Sequence, residues 1–120
     1  MIRYKEIAFA AYPVRDVARA RRFYEGVLGL KPNAPLKSET QAWIEYDLGP
    51  GTLAIGCSDQ WSPSLDGPSV ALEVENFEET VEILESHDVP FIIGPMDLPT
   101  CKMVTLRDPD GNKLTMHKRK

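Results

Sequence analysis

The chain is poor in the residues that staple or metallate small proteins: it has two cysteines and two histidines among 120 residues. Cys57 and Cys101 form neither a metal-ligand spacing nor a disulfide framework, which suits a reducing compartment and a role as small buried fillers. Positive charge is scarce too. Lys and Arg number 14 against 18 Asp and Glu, a formal charge of −4. A nucleic-acid footprint needs a basic stripe, and the short terminal "HKRK" reads as a solvated tail. No apolar run approaches the roughly 20 residues of a membrane span, and no signal-peptide core opens the sequence. These absences predict a cytoplasmic protein with no nucleic-acid and no membrane partner.

What is present is an ordinary globular composition, 42% hydrophobic and 27% charged. The length suits one domain, residues 1–120, with a single core or two small halves sharing one.

Apolar periodicity predicts a strand in "YKEIAFAAYPV", then a helix in "DVARARRFYEGVLGL" with Val17, Ala20, Phe23, Tyr24, Val27 and Leu28 on one stripe. Asp16 is its N-cap and Gly29 its C-cap. Arg19, Arg21 and Arg22 lie mostly off the stripe and read as a solvated face. The turn-rich stretch that follows holds an expected short edge strand around Leu36. "AWIEYDL" and "TLAIGC" then pair across "GPG". A Ser/Pro/Gly-rich linker comes next, and the order restarts. "SVALEV" is a strand, and "NFEETVEILESHD" a helix opened by an Asn76–Glu79 capping box with Phe77, Thr80, Val81 and Leu84 inward. "VPFII" is a strand, and "CKMVTL" and "NKLTMH" pair across "DPDG". His87, at the second helix's C-terminal end, suits the dipole there.

Sliding the halves together by 60 residues matches Val14 to Val74, Asp16 to Asn76, Val17 to Phe77 and Tyr24 to Leu84; a slip of one matches Leu53 to Leu114. The chain therefore reads as two β-α-β-β-β units, neither able to bury its helix and sheet alone.

"PVRDVARARRFYEGVLGL", "ALEVENFEETVEILESHDVPF" and the closing "RDPDGNKLTMHK" resemble the opening, middle and end of the vicinal-oxygen-chelate superfamily, which includes glyoxalase I, bleomycin-resistance proteins and extradiol dioxygenases. With the internal repeat, the resemblance implies an α+β fold. Two tandem βαβββ modules (about 1–58 and 68–120, with a linker at about 59–67) form a curved, mixed eight-stranded sheet around a concave cavity, helices outside. It also implies a homodimer.

Metal-dependent relatives take four ligands from four strands. Carried onto this chain, those positions hold Phe9, Ala54, Ser69 and Thr115. Two have no donor atom and two are neutral hydroxyls, where such sites want imidazole and carboxylate. No metal and no other cofactor is expected.

Strand alternation sorts the faces. Ile44, Tyr46, Leu53, Ile55, Val104, Leu106, Leu114 and Met116 face the helices. The concave face takes Phe9, Ala11, Trp43, Glu45, Asp47, Thr52, Ala54, Ser69, Ala71, Glu73, Cys101, Met103, Thr105, Arg107, Lys113, Thr115 and His117. Phe9, Trp43, Glu45, Ser69, Met103, Thr105, Thr115 and His117 are the predicted ligand contacts, with Trp61 of the linker covering an open end. Glu45 and His117 are the candidates for proton chemistry. "GPGTLAIG" opens no helix and is no phosphate loop.

The leading expectation is a metal-free binder of a small aromatic or amphipathic molecule. The alternatives are a lyase or isomerase, either metal-free through Glu45 and His117 or metal-dependent with relocated ligands, and a non-catalytic interaction module.

Overall fold

Asp16 adopts an extended backbone, and its carboxylate accepts the Arg19 N–H at 3.0 Å, capping the first helix as expected. The helix is α-helical only over α1 (Val17–Arg21). It continues as a π-helical stretch, Arg22–Val27, in which Leu28 N–H reaches back to the Phe23 carbonyl at 2.9 Å. The widened turn accompanies the burial of two adjacent rings, Phe23 and Tyr24. Gly29 then takes a φ of +74°, and Leu30 N–H closes onto the Tyr24 carbonyl at 3.0 Å, a glycine-terminated helix end. The second helix, α2 (Phe77–Ser86), opens in the same way, with the Asn76 side chain accepting Glu79 N–H at 3.0 Å.

The structure, a computed structural model, describes residues 1–34 and 41–120, so the edge strand expected around Leu36 lies outside the described residues. Strands β1 (Ala10–Pro13), β2 (Trp43–Leu48) and β3 (Gly51–Gly56) form a sheet of order β1-β3-β2. Strands β4 (Val70–Glu73), β5 (Phe91–Asp97), β6 (Cys101–Arg107) and β7 (Lys113–Arg119) form a second, of order β4-β7-β6-β5. In both sheets the first strand runs parallel to the last, and the remaining pairs are antiparallel. The hairpin registers follow the alternation in the sequence. Ile44 faces Ile55 and Tyr46 faces Leu53 in one sheet; Val104 faces Met116 and Leu106 faces Leu114 in the other. All eight side chains are buried in one core with Tyr12, Val14, Phe23, Tyr24, Phe77 and Leu84. Burial of each such side chain is worth about 1.5–3 kcal/mol.

Two expectations are corrected. The strand expected over Tyr4–Val14 shortens to Ala10–Pro13, and Ile2, Tyr4 and Ile7 are exposed. In the parallel register Ala10 lies opposite Leu53, and β3 begins at Gly51, so a longer β1 soon runs past its partner's end. The expected single eight-stranded sheet is, among the described residues, two sheets of three and four strands. Side chains make the join where a ladder would run. Val70 N–H donates to the Tyr12 hydroxyl at 2.7 Å, and that hydroxyl donates to the Lys113 carbonyl.

The closing turn is fixed across the same seam. Asp108 accepts from the Asp110 and Asn112 N–H groups at 2.9 Å, and from the Asn112 amide and the Tyr24 hydroxyl at 2.8 Å. The Asn112 amide also donates to the Pro13 carbonyl at 2.8 Å. With its lone pairs taken by protein donors, Asp108 is a structural clamp. Burial, then the neighbouring Asp108 charge, drives the Tyr24 hydroxyl far above the ordinary tyrosine range.

Candidate functional site

The concave-face residues of the sequence reading fall into two groups, one on each sheet. On the three-stranded sheet, β2 begins with Trp43 opposite Gly56. Because Gly56 has no side chain, two indoles settle over it: a Cβ there would lie 2.9 Å from the Trp61 ring and 3.0 Å from the Trp43 ring. Trp43 and Trp61 stack with centroids 6.5 Å apart, and Phe9 meets Trp43 edge-on at 5.2 Å. Trp61 is carried there by a bridge to Ser58. All three rings stay open to solvent, Phe9 at 47%, Trp43 at 36% and Trp61 at 37%. Glu45 holds the platform in place, its Oε2 accepting the Trp43 indole N–H at 2.8 Å. The partner of Glu45, expected as a candidate for proton chemistry, is thus an indole.

On the four-stranded sheet the side chains are smaller and more polar. Ser69, Thr115 and Thr105 form a hydroxyl chain, 3.1 Å from Ser69 to Thr115 and 2.8 Å from Thr115 to Thr105. Thr105 and Thr115 are buried, Ser69 is exposed. Met103 lies opposite His117 in the β6–β7 register, and Glu73 lies opposite His117 in the β4–β7 register. His117 Nδ1 sits 2.6 Å from Glu73 Oε1, while Glu73 Oε2 accepts Arg119 N–H at 2.7 Å. The Arg119 N–H, then the His117 contact, holds the Glu73 carboxyl below the usual glutamate range, so it is ionised at neutral pH.

Between the sheets lies a cavity of about 330 Å³, lined by Ile7, Phe9 and Ala10, by Leu48 and Gly51–Leu53, and by Val70–Glu73. Of the predicted ligand contacts only Phe9 lines it. Glu45 and His117, paired in the sequence reading as proton-transfer candidates, belong to different sheets and have different partners. The residue the sequence reading undervalued is Glu73. Its signal was the parallel pairing of "SVALEV" with "NKLTMHK", which sets positions 73 and 117 side by side.

The positions where metal-dependent relatives carry ligands fit no metal. Phe9 packs its ring on Trp43, Ala54 has no donor, and the Ser69 and Thr115 hydroxyls are spent on each other and on Thr105. Among the described residues no three His, Cys, Asp or Glu side chains gather as a candidate metal site. Likewise no described helix is long and apolar enough to cross a membrane.

Comparison with solved structures supports the fold. A glyoxalase/dioxygenase from Nostoc punctiforme superposes with a TM-score of 0.78 at 18% identity, over 97% of this chain and 92% of that one. TnmS3, an antibiotic binding protein from Streptomyces sp. CB03234, gives 0.81 at 18% identity over the whole of both chains, 100% of each. Lactoylglutathione lyase from Agrobacterium tumefaciens gives 0.75 at 18% identity, over 97% and 95%. No curated protein matches the chain. The family model described as Glyoxalase/Bleomycin resistance protein/Dioxygenase superfamily matches residues 6–116, and with nearly the whole chain covered, the protein belongs to that superfamily.

Proposed function

We propose that this chain is a metal-free binding member of the superfamily that takes a small planar, largely apolar molecule on the Phe9–Trp43–Trp61 platform. The observation behind this reading is three contiguous aromatic rings left open to solvent over a glycine floor, one of them oriented by Glu45. A soluble chain gains nothing in folding by exposing them, whereas a planar ligand stacking there buries a large area against rigid rings. The likeness to an antibiotic binding protein is consistent with such a role. In this reading the two halves are tandem modules, residues 1–58 and 68–120, whose sheets curve around one concave site. A second copy of the chain covers the exposed Ile2, Tyr4, Ile7 and Ile93 in a homodimer.

Titrating the protein with a panel of planar aromatic compounds while following tryptophan fluorescence tests it. Quenching that saturates, and that Trp43→Ala removes, is expected; silence across the panel sinks the reading. Stoichiometric metal in protein purified without chelators would overturn its metal-free part. A second reading, a metal-free lyase or isomerase, draws support from the Glu73–His117 pair and not from the expected Glu45–His117 combination.

A further inference from the structure

The Glu73–His117 pair has a directional chemistry that the platform does not use. Glu73 is an ionised acceptor with both oxygens engaged, one by Arg119 N–H and one by His117 Nδ1. A carboxylate in that state has no proton to give, so Nδ1 carries the hydrogen, and in the neutral imidazole Nε2 is the bare nitrogen. Among the described residues Nε2 has no hydrogen-bond partner, and the imidazole is 25% exposed. The other titratable groups on its face are Lys113 and Arg119 of β7, Cys101 and Arg107 of β6, and Glu73 itself, so no second carboxylate there competes for a proton. Met103 is the register partner of His117 on β6, and Glu73 lines the cavity between the sheets, with His117 beside it outside that lining.

We propose that His117, positioned by Glu73, accepts the proton of an acidic hydroxyl, phenolic or enolic, on a small molecule bound at this face. The ligand O–H bond breaks, the Nε2–H bond forms, and the resulting oxyanion lies beside an imidazolium that Glu73 stabilises. His117 touches the ligand; Glu73 acts through His117 and is a positioning residue. The proposal rests on the reading that the chain takes a small molecule, but its first test needs none.

With only two histidines in the chain, 15N-labelled imidazole NMR reads the tautomer of His117 directly, and His87 serves as an internal control. The expected tautomer of the neutral ring is Nδ1–H with Nε2 bare. In Glu73→Gln the Arg119 N–H keeps the amide oxygen and the amide NH₂ turns toward Nδ1, so the tautomer reverses. An Nε2–H tautomer in the wild-type protein overturns the proposal. The ligand class is tested with 4-nitrophenol, whose anion has its own visible band, against 4-nitroanisole, which lacks the hydroxyl. Wild-type protein is expected to bind the phenol as its anion, and Glu73→Gln to weaken that binding about tenfold, the size of one charge-assisted hydrogen bond. Equal binding of the two probes, or no binding of the phenol, overturns it. Failure of the platform reading looks different, because tryptophan quenching is then absent while the tautomer stands.

Discussion

Tyr24 donates its hydroxyl proton to Asp108 at 2.8 Å, across 84 residues of sequence, in a site both residues share away from water. The bond fastens the π-helical stretch of the first half to the closing turn of the second. Removing the hydroxyl leaves Asp108 Oδ2 with the Asn112 amide as its remaining donor. Tyr24→Phe is therefore expected to lower stability by about 1.5–3 kcal/mol, the usual contribution of a hydrogen bond to a charged group. Urea unfolding followed by far-UV circular dichroism checks this, and an unchanged midpoint would remove the clamp role.

Glu25 supplies a pH dependence of known sign. The Arg21 guanidinium, bonded to it at 2.8 and 3.0 Å, and then the Tyr46 hydroxyl at 2.9 Å hold its carboxyl below the unfolded value of 4.5. A folded pKa below the unfolded one stabilises fully above 4.5, and that contribution fades as the pH falls through the lower folded value. Glu25→Gln should accordingly cost stability at pH 7 and progressively less toward pH 3. Denaturant midpoints of both proteins across that range decide it; a constant gap would assign the loss to packing.

Gly56 is expected to be a binding determinant with little effect on folding. A methyl group there meets ring atoms of Trp61 and Trp43, so the two indoles must shift, while no backbone lies within the close range. Gly56→Ala should thus alter the tryptophan emission spectrum and weaken planar-compound quenching while leaving the unfolding midpoint within about 0.5 kcal/mol. Unaltered quenching would show that the two indoles do not form the contact surface.

Thr115 ties Ser69 to Thr105. Replacing it with valine keeps the shape and deletes the central hydroxyl, so the buried Thr105 loses its partner. A loss of about 1–2 kcal/mol is expected, with Thr105→Val in the same background recovering part of it, since two apolar groups leave nothing unsatisfied. A double-mutant cycle with no coupling would dissolve the chain of hydroxyls into independent groups.

Much of this fold was legible because it is local. A short turn sets hairpin register, so Ile44 opposite Ile55 and Val104 opposite Met116 follow from alternation and turn position alone. The Asp16 and Asn76 caps are likewise decided within one helical turn. The contacts that went unread join distant segments through side-chain tips: Tyr12 to Val70 and Lys113, Tyr24 to Asp108, Glu73 to His117. Periodicity assigns a residue to a face and is silent about what its terminal atom reaches. For the same reason the alternation names Phe9 and Trp43 for one face, yet neither their packing with Trp61 nor the separation of Thr105, Thr115 and His117 onto another sheet follows from it.

Tyr12 carries a mechanical consequence. One phenol oxygen satisfies an amide of β4 and a carbonyl of β7, so the halves meet at a joint of side chains, with no backbone ladder bridging them among the described residues. Such a joint concentrates on one side chain: removing the Tyr12 hydroxyl would strip a partner from the Val70 amide and the Lys113 carbonyl at once, while every rung inside each sheet stays paired.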